Sequence, residues 1–223
     1  MRTALVVGAS RGIGREFVRR LLQDGWKVYA TARDAAALDD LRAAGAEALK
    51  LDVAKPESLA GLGWLLDGVK LDLALYVAGV LGPDQGAHEP PTVADFDAIM
   101  HTNVLGAMQA IPLVTPLVED AGGKFAFISS GLGSIAGATS SGRSWLYRAS
   151  KAALNMVVKS AAADYPKATL IAISPGWVQT DMGGPHAAVS AERSVADMLR
   201  VLAERKRTDS GGFFNHSGEN LPW

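Results

Sequence analysis

The sequence predicts one α/β domain, built on a doubly wound parallel sheet of about seven strands with helices on both faces. Apolar, strand-like runs lie near residues 4–7, 27–31, 47–51, 72–77, 124–128, 169–173 and 212–214. Helical stretches separate these runs, an alternation that is typical of parallel strands joined by crossover helices. At 223 residues, 48% of them hydrophobic, the chain has the length of one sizeable core. A single domain over residues 1–223 is therefore expected.

Composition excludes several classes of function. A formal net charge of −1 gives no basic surface for nucleic acid or for an anionic membrane. The chain has no cysteine, and its four histidines lack metal-ligand spacing, so neither a disulfide framework nor a metal site is expected. The first strand starts by Ala4, which leaves no room for a signal peptide, and the longest apolar run, 73–81, is too short to span a bilayer. A soluble, cytoplasmic protein is expected.

A glycine-rich turn follows the first apolar run. Its glycines, Gly8, Gly12 and Gly14, precede a helical stretch. The apolar stripe of that helix consists of Ile13, Phe17, Val18, Leu21 and Leu22. A turn of this kind lets backbone N–H groups and the helix dipole approach a pyrophosphate without side chains in the way. The sequence therefore predicts a Rossmann-type dinucleotide site at this turn.

Tyr147 and Lys151 lie four residues apart in a predicted helix, so their side chains share one face. An ammonium group beside a phenol favours the phenolate and is expected to lower the tyrosine pKa from about 10. The pair is thus a candidate general acid and base.

These two motifs, in this order, resemble the short-chain dehydrogenases/reductases, and the resemblance runs from about residue 3 to residue 223. Further matches are Asp52-Val53, Asn103, the pair Ser129-Ser130 after a strand, and the run from Ser174-Pro175-Gly176 to Thr180. The segments around Gly133, Tyr147 and Asp181 and the final Leu221-Pro222-Trp223 are similar to the carbonyl-reductase-like branch, which includes the C-factor-type proteins.

The resemblance implies hydride transfer between a nicotinamide and a carbonyl or alcohol carbon. It implies that Tyr147 gives the proton, that Lys151 contacts the nicotinamide ribose, that Ser130 bonds the carbonyl oxygen and that Asn103 holds a water. It also implies a homodimer or homotetramer. The alternatives are an NADP(H)-binding sensor or signalling protein with little turnover and a purely structural interaction module.

Charge at the end of the second strand indicates the cofactor. Ala32 stands where an NAD-preferring member carries an acid, while Arg33 follows and Arg11 lies in the glycine turn. Two guanidinium groups suit a 2′-phosphate, so NADPH is expected, with Asp34 as the counter-evidence. The predicted cofactor-binding residues are Gly8, Ser10, Arg11, Gly12, Ile13, Gly14, Arg33, Asp52, Val53, Ala78, Gly79, Tyr147, Lys151, Pro175, Gly176, Val178 and Thr180.

Several points stay open at the level of sequence. Tyr76-Val77 replaces the usual Asn-Asn before Ala78-Gly79, with an effect on either cofactor affinity or packing. Ser134 is an alternative to Ser130, because it lies closer to Tyr147 along the chain.

Four expectations concern single features of the chain. Thr92 is expected to cap a helix that Pro112 and Pro116 kink or split. Asn155 is expected only to pack. The irregular stretch 131–145 is expected to line the substrate site. Trp145 and Trp177 are candidate pocket walls, with Met182, Gly183-Gly184 and His186 as a short lid.

Overall fold

Seven strands form one parallel sheet in the computed structural model, which describes residues 1–138 and 143–223. The strands are β1 Thr3–Val7, β2 Lys27–Ala32, β3 Glu47–Lys50, β4 Leu73–Tyr76, β5 Lys124–Ile128, β6 Thr169–Ser174 and β7 Gly212–Asn215. Their order across the sheet is β3-β2-β1-β4-β5-β6-β7. The predicted fold class is confirmed, and the predicted strand bounds agree to within one residue at each end.

Helices cover both faces of the sheet. They are α1 Gly12–Gln23, α2 Ala35–Ala43, α3 Pro56–Ala60, α4 Leu62–Leu65, α5 Val93–Met100, α6 Gly106–Glu119, α7 Trp145–Asp164 and α8 Ala191–Glu204. One turn of π-helix, His101–Leu105, joins α5 to α6, and short 3₁₀ segments occupy Gly131–Gly133 and Arg207–Asp209.

The core divides into two apolar clusters because strand side chains alternate between the faces of the sheet. In β1, Ala4 and Val6 pack with α1, α2 and α8, whereas Leu5 and Val7 pack with α3, α4, α6 and α7. Both sets are fully buried. A strand covered on both faces has a continuous run of apolar residues, and this run is why β1 could be predicted from the sequence.

The register of the sheet brings the segments that form the candidate site to one edge. Val7 pairs with Tyr76 in β4, and Tyr76 pairs with Phe127 in β5. The chain segments that follow these strands therefore leave the sheet at one edge. Strand order reverses at β1, since β2 lies on one side and β4 on the other. Ligands of doubly wound sheets bind at the carboxyl edge beside such a switch point.

The helix that carries Asn103 differs from its prediction. Thr92 does cap α5, accepting a hydrogen bond from the Asp95 N–H at 3.1 Å. Of the two outcomes expected at Pro112 and Pro116, a kink or a split, the split is wrong, because α6 continues through both prolines. Buried side chains of α6 hold it against the sheet despite the missing N–H groups. The irregularity lies instead in the π turn around Asn103.

The stretch after β5 is partly regular. Gly131–Gly133 forms a 3₁₀ turn that packs against α7, with the backbone of Gly133 close to Lys151. Residues 139–142 of the predicted substrate-site stretch lie outside the described residues.

Candidate active site

The glycine turn after β1 fits tightly against its neighbours. Gly8 has a φ of 90°, and a Cβ there would lie 2.6 Å from the backbone N of Ala78. A Cβ on Gly14 would collide with the carbonyl oxygen of Gly8. Gly12 has a φ of 53°, a conformation that side chains disfavour. The turn thus presents bare backbone and the N-terminus of α1, a cradle of the size and polarity that a pyrophosphate needs.

A cavity of about 210 Å³ opens beside this turn. Its lining includes the predicted residues Gly8, Ser10, Arg11, Gly12, Ile13, Gly14, Arg33, Asp52, Val53, Ala78, Gly79, Tyr147, Lys151, Pro175 and Thr180. It also includes Met182, a predicted lid residue, and Ala32, the position where an NAD-preferring member carries an acid. The residues that sequence reasoning did not assign to the site are Thr31, Leu51, Val77, Val80, Thr102, Ile128, Ser129 and Asp181. Most of these are strand-end residues, which apolar periodicity assigns to the core rather than to a site.

Two of the predicted cofactor-binding residues are not among those that line the cavity, and neither are the predicted catalytic residues Asn103 and Ser130. Gly176 has a φ of 79° and lies against His216. Val178 is buried and forms a β-bridge with Val189. Both residues shape the loop after β6 rather than its surface toward the cavity.

The charged side chains at the mouth of the cavity differ in their contacts with the protein. The carboxylate of Asp34 accepts the N–H of Ala37 at 2.8 Å and thereby caps α2. Arg11 lies 3.2 Å from Asp181, with both side chains more than 70% exposed. Arg33 lines the cavity and is exposed. Because a pair in solvent is weak, Arg11 can exchange Asp181 for an anionic ligand at small cost.

Tyr147 and Lys151 lie on the buried face of α7. The Lys151 Nζ donates to the Ile128 carbonyl at 2.8 Å and lies 5.6 Å from the centroid of the Tyr147 ring. Burial raises the pKa of Tyr147 to about 12 and lowers the pKa of Lys151 to about 8. The expected lowering of the tyrosine pKa is therefore wrong for this arrangement, because loss of solvent on burial is the dominant cause and raises it.

The structure distinguishes the two candidate serines. Burial is the main cause of the raised pKa of Tyr147, and the nearby Ser130 acts in the opposite direction. The Ser130 Oγ accepts the Leu132 N–H at 3.1 Å. The Ser134 hydroxyl instead donates to the Pro222 carbonyl at 2.6 Å and accepts the Gly137 N–H at 2.9 Å. The structure thus brings Ser130, and not Ser134, to Tyr147.

Asn103 is fully buried in the π turn. Its Nδ2 donates to the Val80 carbonyl and to Ser150 Oγ, each at 2.9 Å. Its Oδ1 accepts the Val80 N–H at 2.8 Å. Both N–H donors of the side chain are therefore used within the protein, where they join the segment after β4 to α7.

Asn155 does more than pack. It accepts a hydrogen bond from the Ser129 hydroxyl at 2.6 Å and donates to the Gly133 carbonyl at 3.2 Å. These contacts fix the chain on both sides of Ser130. The sequence did carry a signal, since Asn155 lies one helical turn after Lys151 on the same face.

The described residues contain neither a candidate metal site nor a candidate membrane-spanning helix. Within residues 1–138 and 143–223, no three His, Asp or Glu side chains are grouped so that they could hold a metal ion. Within the same residues, no helix has the length and apolar character needed to cross a membrane.

Comparisons with known proteins agree on one family. The family model described as short chain dehydrogenase matches residues 2–189. The 1-hydroxy-2-glutathionyl-2-methyl-3-butene dehydrogenase of Rhodococcus sp. (strain AD45) is 34% identical over all of both chains. C-signal of Myxococcus xanthus is 40% identical over 58% of this chain and 80% of its own. The NADPH-bound carbonyl reductase from chicken fatty liver superposes with a TM-score of 0.89 at 32% identity, covering 100% of this chain and 99% of its own.

The buried ammonium group predicts a pH-dependent stability. Folding lowers the pKa of Lys151 from an ordinary 10.5 to about 8, so the unfolded chain binds more protons between these values. The contribution of Lys151 to stability therefore rises as the pH increases from 8 to 10.5 and is least favourable below pH 8. In urea unfolding, the free energy of unfolding of Lys151→Met is expected to compare best with that of the wild type at pH 7. This advantage is expected to be lost by pH 10.

Lys159→Met, at an exposed position of the same helix, controls for the loss of one positive charge. A difference between Lys151→Met and the wild type that is the same at pH 7 and pH 10 would contradict the buried-charge account.

Proposed function

The chain belongs to the short-chain dehydrogenase family, and on this premise we propose that it reduces a ketone or aldehyde to the alcohol with NADPH, with Tyr147 as the proton donor. One observation carries the proposal. Tyr147 and Lys151 line the same cavity as the glycine turn, and Ser130 is near enough to Tyr147 to lower the pKa of the phenol. A proton donor, a cation and a second hydroxyl thus meet at the end of a dinucleotide cradle.

Each side chain has a chemical task in this proposal. NADPH, when bound, supplies the hydride. Ser130 donates a hydrogen bond to the carbonyl oxygen of the substrate, and this bond strengthens as negative charge develops there. Tyr147 gives its proton to the same oxygen. Its raised pKa keeps the phenol protonated at neutral pH, as a donor in the reductive direction requires. Lys151 stabilises the phenolate that remains.

Residues around the cavity account for the choice of NADPH. The glycine turn and the N-terminus of α1 would hold the pyrophosphate, and Asp52 and Val53 would lie against the adenine. Arg33 and Arg11 would share the 2′-phosphate. Since Asp34 caps α2, its carboxylate is engaged and the counter-evidence from the sequence is weakened. The NADPH bound to the chicken carbonyl reductase supports the same choice.

Apolar side chains favour a bulky substrate. Trp177 and Met182 are exposed after β6, and Trp145 is partly exposed two residues before the buried Tyr147. The Nε1 of Trp177 donates to the Gly183 carbonyl at 2.8 Å, so the ring is held against the short segment that follows. We therefore propose aryl or other large apolar ketones as substrates.

Two further proposals follow from the family. Exposed apolar side chains on α5, α6 and α7, namely Phe96, Met108 and Met156, support a homodimer or homotetramer. The similarity to C-signal favours the alternative of an NADP(H)-binding signalling protein with little turnover. NADPH oxidation across aldehydes, aryl ketones, diketones and quinones separates the two functions, because absence of turnover on all of them would favour the binding protein over the reductase.

Removal of one hydroxyl tests the proton donor. Tyr147→Phe is expected to reduce turnover by on the order of 10²–10⁴ while the fold and the affinity for NADPH stay nearly the same. Steady-state kinetics and NADPH fluorescence titration measure the two quantities. Near-normal turnover would refute the assignment of Tyr147.

The two serines provide a matched pair of variants. Ser130→Ala is expected to lose most turnover, because it removes the hydrogen bond to the developing oxyanion. Ser134→Ala is expected to lose little turnover and to lower the free energy of unfolding by about 1 kcal/mol, through loss of its bond to Pro222. The opposite ranking of turnover would assign the role to Ser134.

An arginine variant tests the cofactor. A charge-assisted contact is worth roughly 1.5–3 kcal/mol, so Arg33→Ala is expected to weaken NADPH binding by about ten- to a hundredfold and to leave NADH binding almost unchanged. Arg42→Ala, in which the lost guanidinium bonds Asp39 on α2, is the control. Equal use of NADH and NADPH by the wild type would contradict the proposed cofactor.

A further inference from the structure

Tyr76 occupies the position of the first residue of the usual Asn-Asn pair, and its side chain is fully buried at the end of β4. Its hydroxyl donates to the Thr102 carbonyl at 2.9 Å. Thr102 belongs to the π turn that carries Asn103. We infer that Tyr76 is a positioning residue, which holds this turn in the shape that joins Asn103 to the catalytic helix α7.

The hydrogen bonds of the π turn explain why an outside donor is needed. In an α-helix the Gly106 N–H would bond the Thr102 carbonyl, four residues earlier. Here it bonds the His101 carbonyl, five residues earlier. The Thr102 carbonyl therefore loses its α-helical donor in a half-buried setting beside the fully buried Tyr76, where an unpaired carbonyl is costly. The Tyr76 hydroxyl supplies the replacement.

Gly106 makes room for this contact. A Cβ on Gly106 would collide with the Tyr76 hydroxyl oxygen and would lie 2.7 Å from the Val53 carbonyl. The tyrosine can therefore reach Thr102 only because the first residue of α6 has no side chain. Tyr76 and Gly106 act as a pair of complementary size.

A continuous series of contacts connects the turn to the proton donor. Asn103 donates to Ser150 Oγ at 2.9 Å, and Ser150 Oγ donates to the Tyr147 carbonyl at 2.8 Å. Asn103 also holds Val80, a residue that lines the cavity. A shift of the π turn would thus move the backbone that places Tyr147 and one wall of the site together. The inference about turnover rests on the proposed function, whereas the inference about the turn does not.

Hydrogen exchange tests the turn without reference to turnover. In the purified full chain without cofactor, Tyr76→Phe is expected to accelerate amide exchange in peptides covering residues 101–107 by about tenfold more than in peptides from β6. Val201→Ala, a core variant in α8 on the opposite face of the sheet, is the control for general destabilisation. Equal acceleration of residues 101–107 in the two variants, or none in Tyr76→Phe, would overturn the inference.

Kinetics test the connection to Tyr147. Tyr76→Phe is expected to lower kcat about tenfold and to change the dissociation constant of NADPH by less than about twofold, since the displaced groups orient the proton donor. In an Asn103→Ala background the same substitution is expected to change kcat by less than about twofold, because the connection is already broken. An equal loss in both backgrounds would refute action through Asn103. If the wild type reduced no carbonyl, the proposed function would fail and the exchange measurement would still decide the role of Tyr76.

Discussion

The burial of polar side chains is the constraint on which the site depends. Asn103, Ser129, Ser150, Lys151 and Asn155 are all at least 95% buried behind the cavity, so each polar group there needs a partner from the protein. Their hydrogen bonds run between the segments after β4 and β5 and the helix α7. The requirement to satisfy buried groups therefore fixes the same segments that carry the proposed chemistry. The same hydrogen bonds at this edge of the sheet therefore stabilise the fold and hold the residues of the proposed reaction in place.

The sequence predicted the sheet closely because apolar periodicity reports burial, and every strand of this sheet has buried neighbours. The bounds of β5 agree at both ends, and the glycine turn, Arg33, Tyr147 and Lys151 all line one cavity. The direction of the tyrosine pKa was wrong for a physical reason. Spacing along a helix gives the distance between two charges, but desolvation depends on what the rest of the chain packs over them.

Local irregularities were the least predictable features. Prolines at 112 and 116 gave a strong local signal for a break, yet packing of α6 on the sheet overrides it. The irregularity lies in the π turn, where the hydroxyl of Tyr76, 26 residues earlier, donates a hydrogen bond to the Thr102 carbonyl. Similarly, Ser134 has the more usual separation from Tyr147, but its hydroxyl is held by Pro222, 88 residues away. Contacts of such long range leave no pattern in a short window of sequence.

The two ends of the cavity use charge in opposite ways. At the mouth, Arg11 and Asp181 are exposed, so their pairing is weak and reversible, and a phosphate can replace the carboxylate at little cost. In the interior, Lys151 is buried and bonded to a backbone carbonyl, and its pKa is lowered toward neutrality. In the proposed function, the charge at the mouth selects among cofactors because it stays hydrated until one binds. The charge in the interior would stabilise the Tyr147 phenolate, because little water screens it there. The proposal thus assigns cofactor recognition to side chains at the mouth of the cavity and proton transfer to side chains in its interior. The hydrogen bond from Lys151 to the Ile128 carbonyl, with the polar network around it, keeps the Lys151 side chain in the interior.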